Sequence, residues 1–432
     1  MMNDSLKQEV RRGPQDAVRH VTNGPGQTKQ LLEALATDLK SRLQEGERWA
    51  AVNEVLEDQG EEIKLLFKAH FDTVLLKMKA LGASDVDLGG PGCQSFIWFR
   101  INGTKKPDEA AGRYAVDETD MLIFTLLTEP DREHLFRHRN VDFSYRVYAE
   151  AEKVWTRFRA TIYFDLGHLT INMRRVNDST ISFPKLGFHQ EVAKVLSLKY
   201  RKSGLILVTG ITGSGKSTTL DSIIDANNRT MQAHIVIISD PIEYVHKPIK
   251  SIVKHREVGR DVHSFKDGTI QALRQDPDII MIGEMRDADT IMTVLEVVDS
   301  GHKVFSTLHT SSAVESIDRI LGEVPTNEQK RVQNRLADVL TCVISQKLVA
   351  STDGGRILAK EVLVSNAAIR TAIRNNNLGE IYQVLHQSAA SGMVTMEQDL
   401  ARLHTENKIS YFEAYTNANN KKRFEELAKY NF

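Results

Sequence analysis

Cysteine is nearly absent from this chain: Cys93 and Cys342 are the two in 432 residues. That excludes a disulfide framework and a cysteine-rich zinc module, and it fits a reducing compartment. An excess of one charge is missing too. Lys and Arg number 56 against 57 Asp and Glu, a net charge of -1. A protein whose main task is coating nucleic acid needs a basic surplus to neutralise phosphates, and none exists here. No apolar run approaches the roughly 18 residues that span a bilayer. The opening thirty or so residues are polar and hold no apolar segment of the signal-peptide kind. The expectation is a cytoplasmic protein with no transmembrane segment.

What remains is ordinary globular composition, 41% hydrophobic and 26% charged. At roughly 150 residues per domain the length predicts two or three domains. Residues 1–60 read as an N-terminal extension. Gly13-Pro14 and Gly24-Pro25-Gly26 break its opening arm. Leu31, Leu32, Leu35, Leu39 and Leu43, then Val52, Val55 and Leu56, recur at helical spacing with an interruption near Gly46. Residues 61–177 read as a small α+β domain: helices over 63–81 and 117–127, and strands over 95–101, 141–148, 154–164 and 168–176. Asn102-Gly103 is a hairpin signal. Residues 178–187, with Ser, Thr and Pro184, read as a linker. Over 188–366 helices and strands alternate, with strands at 205–209, 234–238, 279–282 and 303–308. Such alternation implies an α/β domain with a parallel sheet covered on both faces. Residues 367–432 are expected to be mainly helical.

Between the first of those strands and its following helix stand Gly210, Ile211, Thr212, Gly213, Ser214, Gly215, Lys216 and Ser217, then Thr218. They fit G-x-x-x-x-G-K-[ST] in full, with the strand before and the helix after that this motif requires. Glycines let successive N–H groups turn inward onto phosphate oxygens, and the helix N-terminus adds its dipole. Lys216 is expected to neutralise the β- and γ-phosphates and the Ser217 hydroxyl to bind Mg²⁺. ATP and Mg²⁺ are therefore the expected ligands.

Phosphoryl chemistry also needs carboxylates at neighbouring strand ends. Asp240-Pro241-Ile242-Glu243 follows the strand 234–238, and Glu284 follows 279–282 through Gly283. These residues alone leave open which glutamate activates water. His302 and His309 flank the strand 303–308. Seven residues is an odd step along a strand, so the rings face opposite ways and cannot share a metal ion. His309, past the C-terminal end, is placed to reach a γ-phosphate.

In order along the chain stand four motifs. They are Gly210 to Ser217, Asp240 to His246, Arg274-Gln275-Asp276-Pro277-Asp278 through Gly283-Glu284-Met285-Arg286-Asp287, and Gly301-His302 with Thr307-Leu308-His309-Thr310. They resemble the Walker A, Asp box, Walker B and His box of the secretion ATPase superfamily, which powers type IV pili and type II secretion. Gly82-Ala83-Ser84-Asp85 is similar to that family's opening signature. Within the superfamily the chain is most similar to the pilus-retraction branch. Residues 368–374 resemble its Ala-Ile-Arg segment and depart from it at Thr371, Ala372 and, just beyond, Asn375.

The resemblance implies a homo-hexameric ring with a PAS-like N-terminal domain and a RecA-like P-loop core. It makes Glu243 the catalytic glutamate and Glu284 the acid that helps hold Mg²⁺ and water. It also sets Arg157 and Arg159 against the nucleotide. Implied partners are an inner-membrane platform protein of the pilus machine and other pilus ATPases, with the ring at the cytoplasmic face of that membrane. Pilus assembly or type II secretion is the alternative within the superfamily. A nucleic-acid translocase on the same core would carry a basic, aromatic pore, and a non-hydrolysing subunit would lack Lys216 or both glutamates. Neither feature is seen.

Overall fold

The computed structural model describes residues 25–43, 47–101, 103–150, 152–176 and 180–429. The opening arm up to Gly24, the break at Gly46, Asn102 of the expected turn and the head of the expected linker lie outside the described residues. The chain divides into two compact units, Met1–Asp178 and Ser179–Phe432.

The first unit opens with α1 (Pro25–Arg42), α2 (Arg48–Gln59) and α3 (Glu61–Ala80). Leu32, Leu35 and Leu39 form one stripe of α1 and share a core with Val52 and Val55 of α2 and Phe67, Phe71 and Leu75 of α3. The sequence sets residues 1–60 apart as an extension. In the structure both of these helices bury their stripes in the same core as Phe158 and Ile162, because neither stripe stays in water at low cost.

The sheet of this unit is antiparallel throughout, in the order β3-β2-β1-β6-β5-β4. Its strands are β1 (Asp85–Gly89), β2 (Trp98–Ile101), β3 (Thr104–Pro107), β4 (Asn140–Ala149), β5 (Val154–Asp165) and β6 (His168–Arg175). Helices α4 (Val116–Phe124) and α5 (Glu129–His138) connect β3 to β4. Along β5, Thr156, Phe158, Ala160 and Ile162 are buried, while Arg157 and Arg159 take the alternate positions. Asp120 of α4 is fully buried. It accepts from Leu169 N at 2.7 Å and His168 Nδ1 at 2.9 Å and pairs with Arg48, so one carboxylate ties α2, α4 and β6 together.

The second unit begins with α6 (Gln190–Leu196) and carries a seven-stranded sheet ordered β13-β12-β7-β11-β10-β8-β9. The strands are β7 (Gly204–Thr209), β8 (His234–Ser239), β9 (Ile252–Glu257), β10 (Ile279–Ile282), β11 (Lys303–Leu308), β12 (Leu340–Ala350) and β13 (Arg356–Val364). All pairs are parallel except β12 with β13, so the expected parallel sheet is mixed. A tight return at 351–355 forces that hairpin.

Helices α7 (Lys216–Thr230), α8 (Phe265–Ala272), α9 (Ala288–Asp299), α10 (Ala313–Glu323), α11 (Thr326–Val339), α12 (Ala367–Arg374) and α13 (Leu378–Gln387) accompany the strands. Alternate residues of each central strand enter different cores. Leu205 and Leu207 join the core with α9 to α13, and Ile206 and Val208 join the one with α6 and α7. Helices α14 (Met396–Thr405), α15 (Tyr411–Asn417) and α16 (Lys421–Lys429) close over the far ends of β12 and β13.

Two residues of β11's entry are structural. His302 Nδ1 meets Ser300 Oγ at 2.9 Å and Val297 O at 3.2 Å, which secures the end of α9. Lys303 is 0% exposed and donates to Val195 O at 2.7 Å and Arg201 O at 3.0 Å. Burial drives its ammonium from an ordinary 10.5 down to about 7, with Arg201 adding to the fall. Below pH 7 the folded and unfolded chains both hold that proton, so the burial cost stands in full. Above pH 7 the unfolded chain binds the extra proton, and stability rises with pH toward 10.5. Between pH 7 and 9 this group is expected to add about 2 kcal/mol, a gain that Lys303→Met lacks. Urea unfolding of both proteins at the two pH values measures it. A difference between them that is the same at pH 7 and pH 9 rules it out.

Candidate active site

Strand β7 delivers the chain to Thr209, and α7 takes it up again at Lys216. Gly210 has φ 148, and a Cβ there would stand 2.4 Å from Ser214 Oγ and 2.5 Å from Gln346 O, so only glycine fits. The loop closes with Ser214 N donating to Ile211 O at 3.2 Å. Helix α7 is capped by Gly215, with no side-chain hydrogen bond. The first N–H groups of a 15-residue helix are thus left to an outside acceptor, which is the physical basis of an anion site.

Lys216 lies back along this loop, its Nζ donating to Gly210 O at 2.9 Å and Ile211 O at 3.2 Å. Burial lowers its pKa, while the charges of Glu284 and Glu243 act in the other direction. Both carboxylates therefore lie within electrostatic reach of the lysine. The Ser217 hydroxyl makes no hydrogen bond among the described residues and keeps its lone pairs for a ligand.

Three more strands end on the same side. Spatial order β7-β11-β10-β8 brings His309, Glu284 and Glu243 next to the loop, at the carboxyl ends of neighbouring parallel strands. Glu284 is 16% exposed; its Oε1 lies 3.2 Å from His309 Nε2 and 2.6 Å from Arg286 Nε. The turn that carries it is fixed from β11, where Thr307 Oγ1 donates to Gly283 O at 2.6 Å and Ser306 Oγ to Ile282 O at 2.9 Å. Glu243 is exposed on the loop after β8. Behind it His246 Nε2 meets Asp221 Oδ1 of α7 at 3.1 Å, both side chains buried, and burial raises the pKa of Asp221.

The structure thus brings together Lys216, Ser217, Glu284 and His309, with Glu243 facing them through its charge. Arg157 and Arg159 belong to the first unit, where Arg157 Nη2 donates to Ser144 Oγ at 2.9 Å and Arg159 is exposed. Sequence reasoning gave no role to Arg286, Thr307 or Asp221. Arg286 lies two residues from Glu284 in the same motif, and that spacing was the available signal. An oxygen-rich set of Ser217, Glu284 and Glu243 suits a hard divalent cation, and no cysteine stands in it to favour a softer one.

The profile of the type II/IV secretion system protein family matches residues 154–407. The chain is 39% identical to a twitching motility protein of Neisseria gonorrhoeae over 292 residues, which cover 67% of this chain and 75% of that one. It is 37% identical to the type IV pilus retraction ATPase PilT of Pseudomonas aeruginosa over 289 residues, 67% of this chain and 82% of that one. Among solved structures, the pilus retraction motor PilT with bound ADP superposes with a TM-score of 0.74. Its identity is 39%, over 82% of this chain and 98% of that one.

Proposed function

The chain belongs to the type II/IV secretion system protein family, and on that premise we propose that it hydrolyses ATP to drive type IV pilus retraction. One observation carries the chemistry: the phosphate loop, Glu284, His309 and Glu243 end on one edge of four adjacent parallel strands. Loop N–H groups and the start of α7 bind the phosphates of ATP, and Lys216 leaves its carbonyl contacts to stabilise charge on the transferred group. Glu243 orients and deprotonates the attacking water. His309 and Arg286 hold the Glu284 carboxylate in place. Mg²⁺ fits the Ser217–Glu284 oxygens, where it would supply charge neutralisation to the β- and γ-phosphates. We assign Arg157 and Arg159 to the same task through their planar, permanently charged forks.

The finer architecture follows from that reading. Within the first unit, residues 61–177, an antiparallel sheet with flanking helices, serve as a PAS-like domain, residues 178–187 as the linker, and the second unit's 188–366 as a RecA-like core with a helical part (367–432) behind it. Six copies form a ring that works at the cytoplasmic face of the inner membrane, against a platform protein and beside other pilus ATPases. Among the described residues no helix is long and apolar enough to cross a membrane.

A deletion strain tests the direction of work. Hyperpiliated cells that do not twitch are expected, and bald cells would mean assembly instead. In the test tube, activity is expected to rise more than linearly with protein concentration, because rings form only above their dissociation threshold. Sedimentation beside steady-state kinetics measures this, and full activity in a strictly monomeric sample removes the ring.

A further inference from the structure

The phosphate loop is gripped from a strand that the motifs do not include. β12 lies beside β7 in parallel register, with Ser345 opposite Thr209 and the next residue, Gln346, abreast of the loop itself. Gln346 is 1% exposed, and its Nε2 donates to Ser214 O at 2.7 Å. A carbonyl oxygen only accepts, so the amide must present its nitrogen here, which fixes the orientation of the side chain. The other end, Oε1, is buried and has no partner among the described residues. Contacts at Gly210 exclude a side chain, and at Gly215 the φ of 88 favours glycine. A Cβ on Gly210 would stand 2.5 Å from Gln346 O, and one on Gly215 would stand 3.3 Å from Gln346 Nε2.

The neighbours of Gln346 reach the rest of the site. Ser345 Oγ meets Thr209 Oγ1 at 2.8 Å, one residue before the loop. Thr209 Oγ1 meets Ser316 Oγ at 3.4 Å, and Ser316 Oγ meets Thr310 Oγ1 at 2.6 Å, one residue after His309. Lys347 Nζ donates to Asn417 O at 2.6 Å and Asn419 Oδ1 at 2.8 Å, and Asn419 Nδ2 donates to Ser311 O at 3.3 Å. Three consecutive residues of β12 therefore join the phosphate loop, the His309 segment and the C-terminal helices.

We propose that Gln346 is a positioning residue that holds the phosphate loop in its nucleotide-binding shape from β12. A buried amide left with an unmatched acceptor is a poor choice for packing alone, since a methionine of the same length fills the space without the desolvation cost. Among the described residues, the one hydrogen bond of its side chain goes to the loop whose N–H groups bind phosphate. Those groups touch phosphate in the ground state and transition state alike. Loosening the loop removes uniform binding, which raises KM and leaves kcat. The inference rests on the ATPase reading and adds a residue to it.

The test uses the full chain, with Gln346→Met as the variant that keeps length and volume but has no donor. ADP affinity with Mg²⁺ is read by titration, steady-state ATP turnover by phosphate release, and nucleotide-free stability by thermal melting. The Kd for ADP and the KM for ATP are expected to rise about tenfold, which is about 1.4 kcal/mol. kcat is expected to stay within about threefold, and the melting temperature to change little, because Ser214 O loses its donor while the unpaired Oε1 is removed. Unchanged Kd and KM overturn the proposal, and so does a lowered melting temperature with unchanged affinity, which makes Gln346 a packing residue. Should the methionine variant not fold, Gln346→Leu gives the same reading, because its side chain has no donor for Ser214 O. A wild-type chain that does not turn over ATP removes the ATPase reading itself. A wild type that does, matched by Gln346→Met, removes only the role of Gln346.

Discussion

Replacing Lys216 with alanine is expected to abolish ATP turnover while the protein keeps its fold. The side chain bears on no core: its ammonium lies along Gly210 O and Ile211 O, on a loop between β7 and α7. Removing it frees the carbonyl oxygens of buried Gly210 and exposed Ile211 at the mouth of the loop, and no apolar contact of either core is lost. What is lost is the positive charge beside phosphate. That charge stands in a site where Glu284 and Glu243 already add negative potential, so without Lys216 a polyphosphate meets two carboxylates with less to offset them. Loss of one preorganised charge-stabilising group costs roughly a hundredfold to a thousandfold in rate, and repulsion adds to it. Lys216→Arg is expected to rescue little, since a planar fork does not replace a compact ammonium in a tight turn. Phosphate release with a melting curve on the same sample is the measurement. Turnover within a few-fold of wild type would sink the phosphate-loop assignment.

The strands that were easiest to read are those whose burial dictates their composition. Ile279–Ile282 is buried along its whole length and reads as a continuous apolar run with the observed ends. β9 escaped because Ile-Val-Lys-His-Arg-Glu is the composition of a sheet edge, half open to water. β3 escaped because four polar, proline-ended residues carry no periodicity, and β1 because its Asp-Val-Asp-Leu alternation is too short to stand out before Gly89. The antiparallel β13 is a tertiary outcome: whether a strand returns or crosses over is written in a five-residue turn, not in its own side chains.

The site divides along similar lines. A phosphate loop needs fixed residue types at fixed spacing, so Gly210 to Ser217 is legible from sequence alone. Carboxylates at strand ends were legible because the strands were. Gln346 lies 132 residues beyond Ser214 and was invisible, since only the register of β12 on β7 brings them together. Arg157 and Arg159 were legible by resemblance alone, and the structure adds that they alternate with the buried Phe158 and Ala160 along β5. What an outward residue faces is not written in its strand.

Glu243→Gln is expected to keep nucleotide binding and lose hydrolysis by about a hundredfold or more, and Glu284→Gln to slow hydrolysis with a larger change in Mg²⁺ dependence. The surroundings of the two carboxylates separate their roles. Glu284 is committed, with Arg286 Nε at 2.6 Å and His309 Nε2 at 3.2 Å on the same oxygen. A glutamine there still accepts those bonds through its amide oxygen, so position is kept and charge is lost. That is the pattern of a residue that serves a cation. Glu243 is exposed and makes no hydrogen bond or ion pair among the described residues, so both its oxygens are available to a water molecule. A glutamine there can still orient that water but cannot take its proton. Binding is spared in this variant because the phosphates are held by the loop and Lys216, on the other side of β11 and β10 from Glu243's strand. Fluorescent-nucleotide titration beside turnover at several Mg²⁺ concentrations separates the two. Normal hydrolysis in Glu243→Gln with a dead Glu284→Gln reverses the roles: the engaged carboxylate would then be the base, and His309 and Arg286 the groups that aim it.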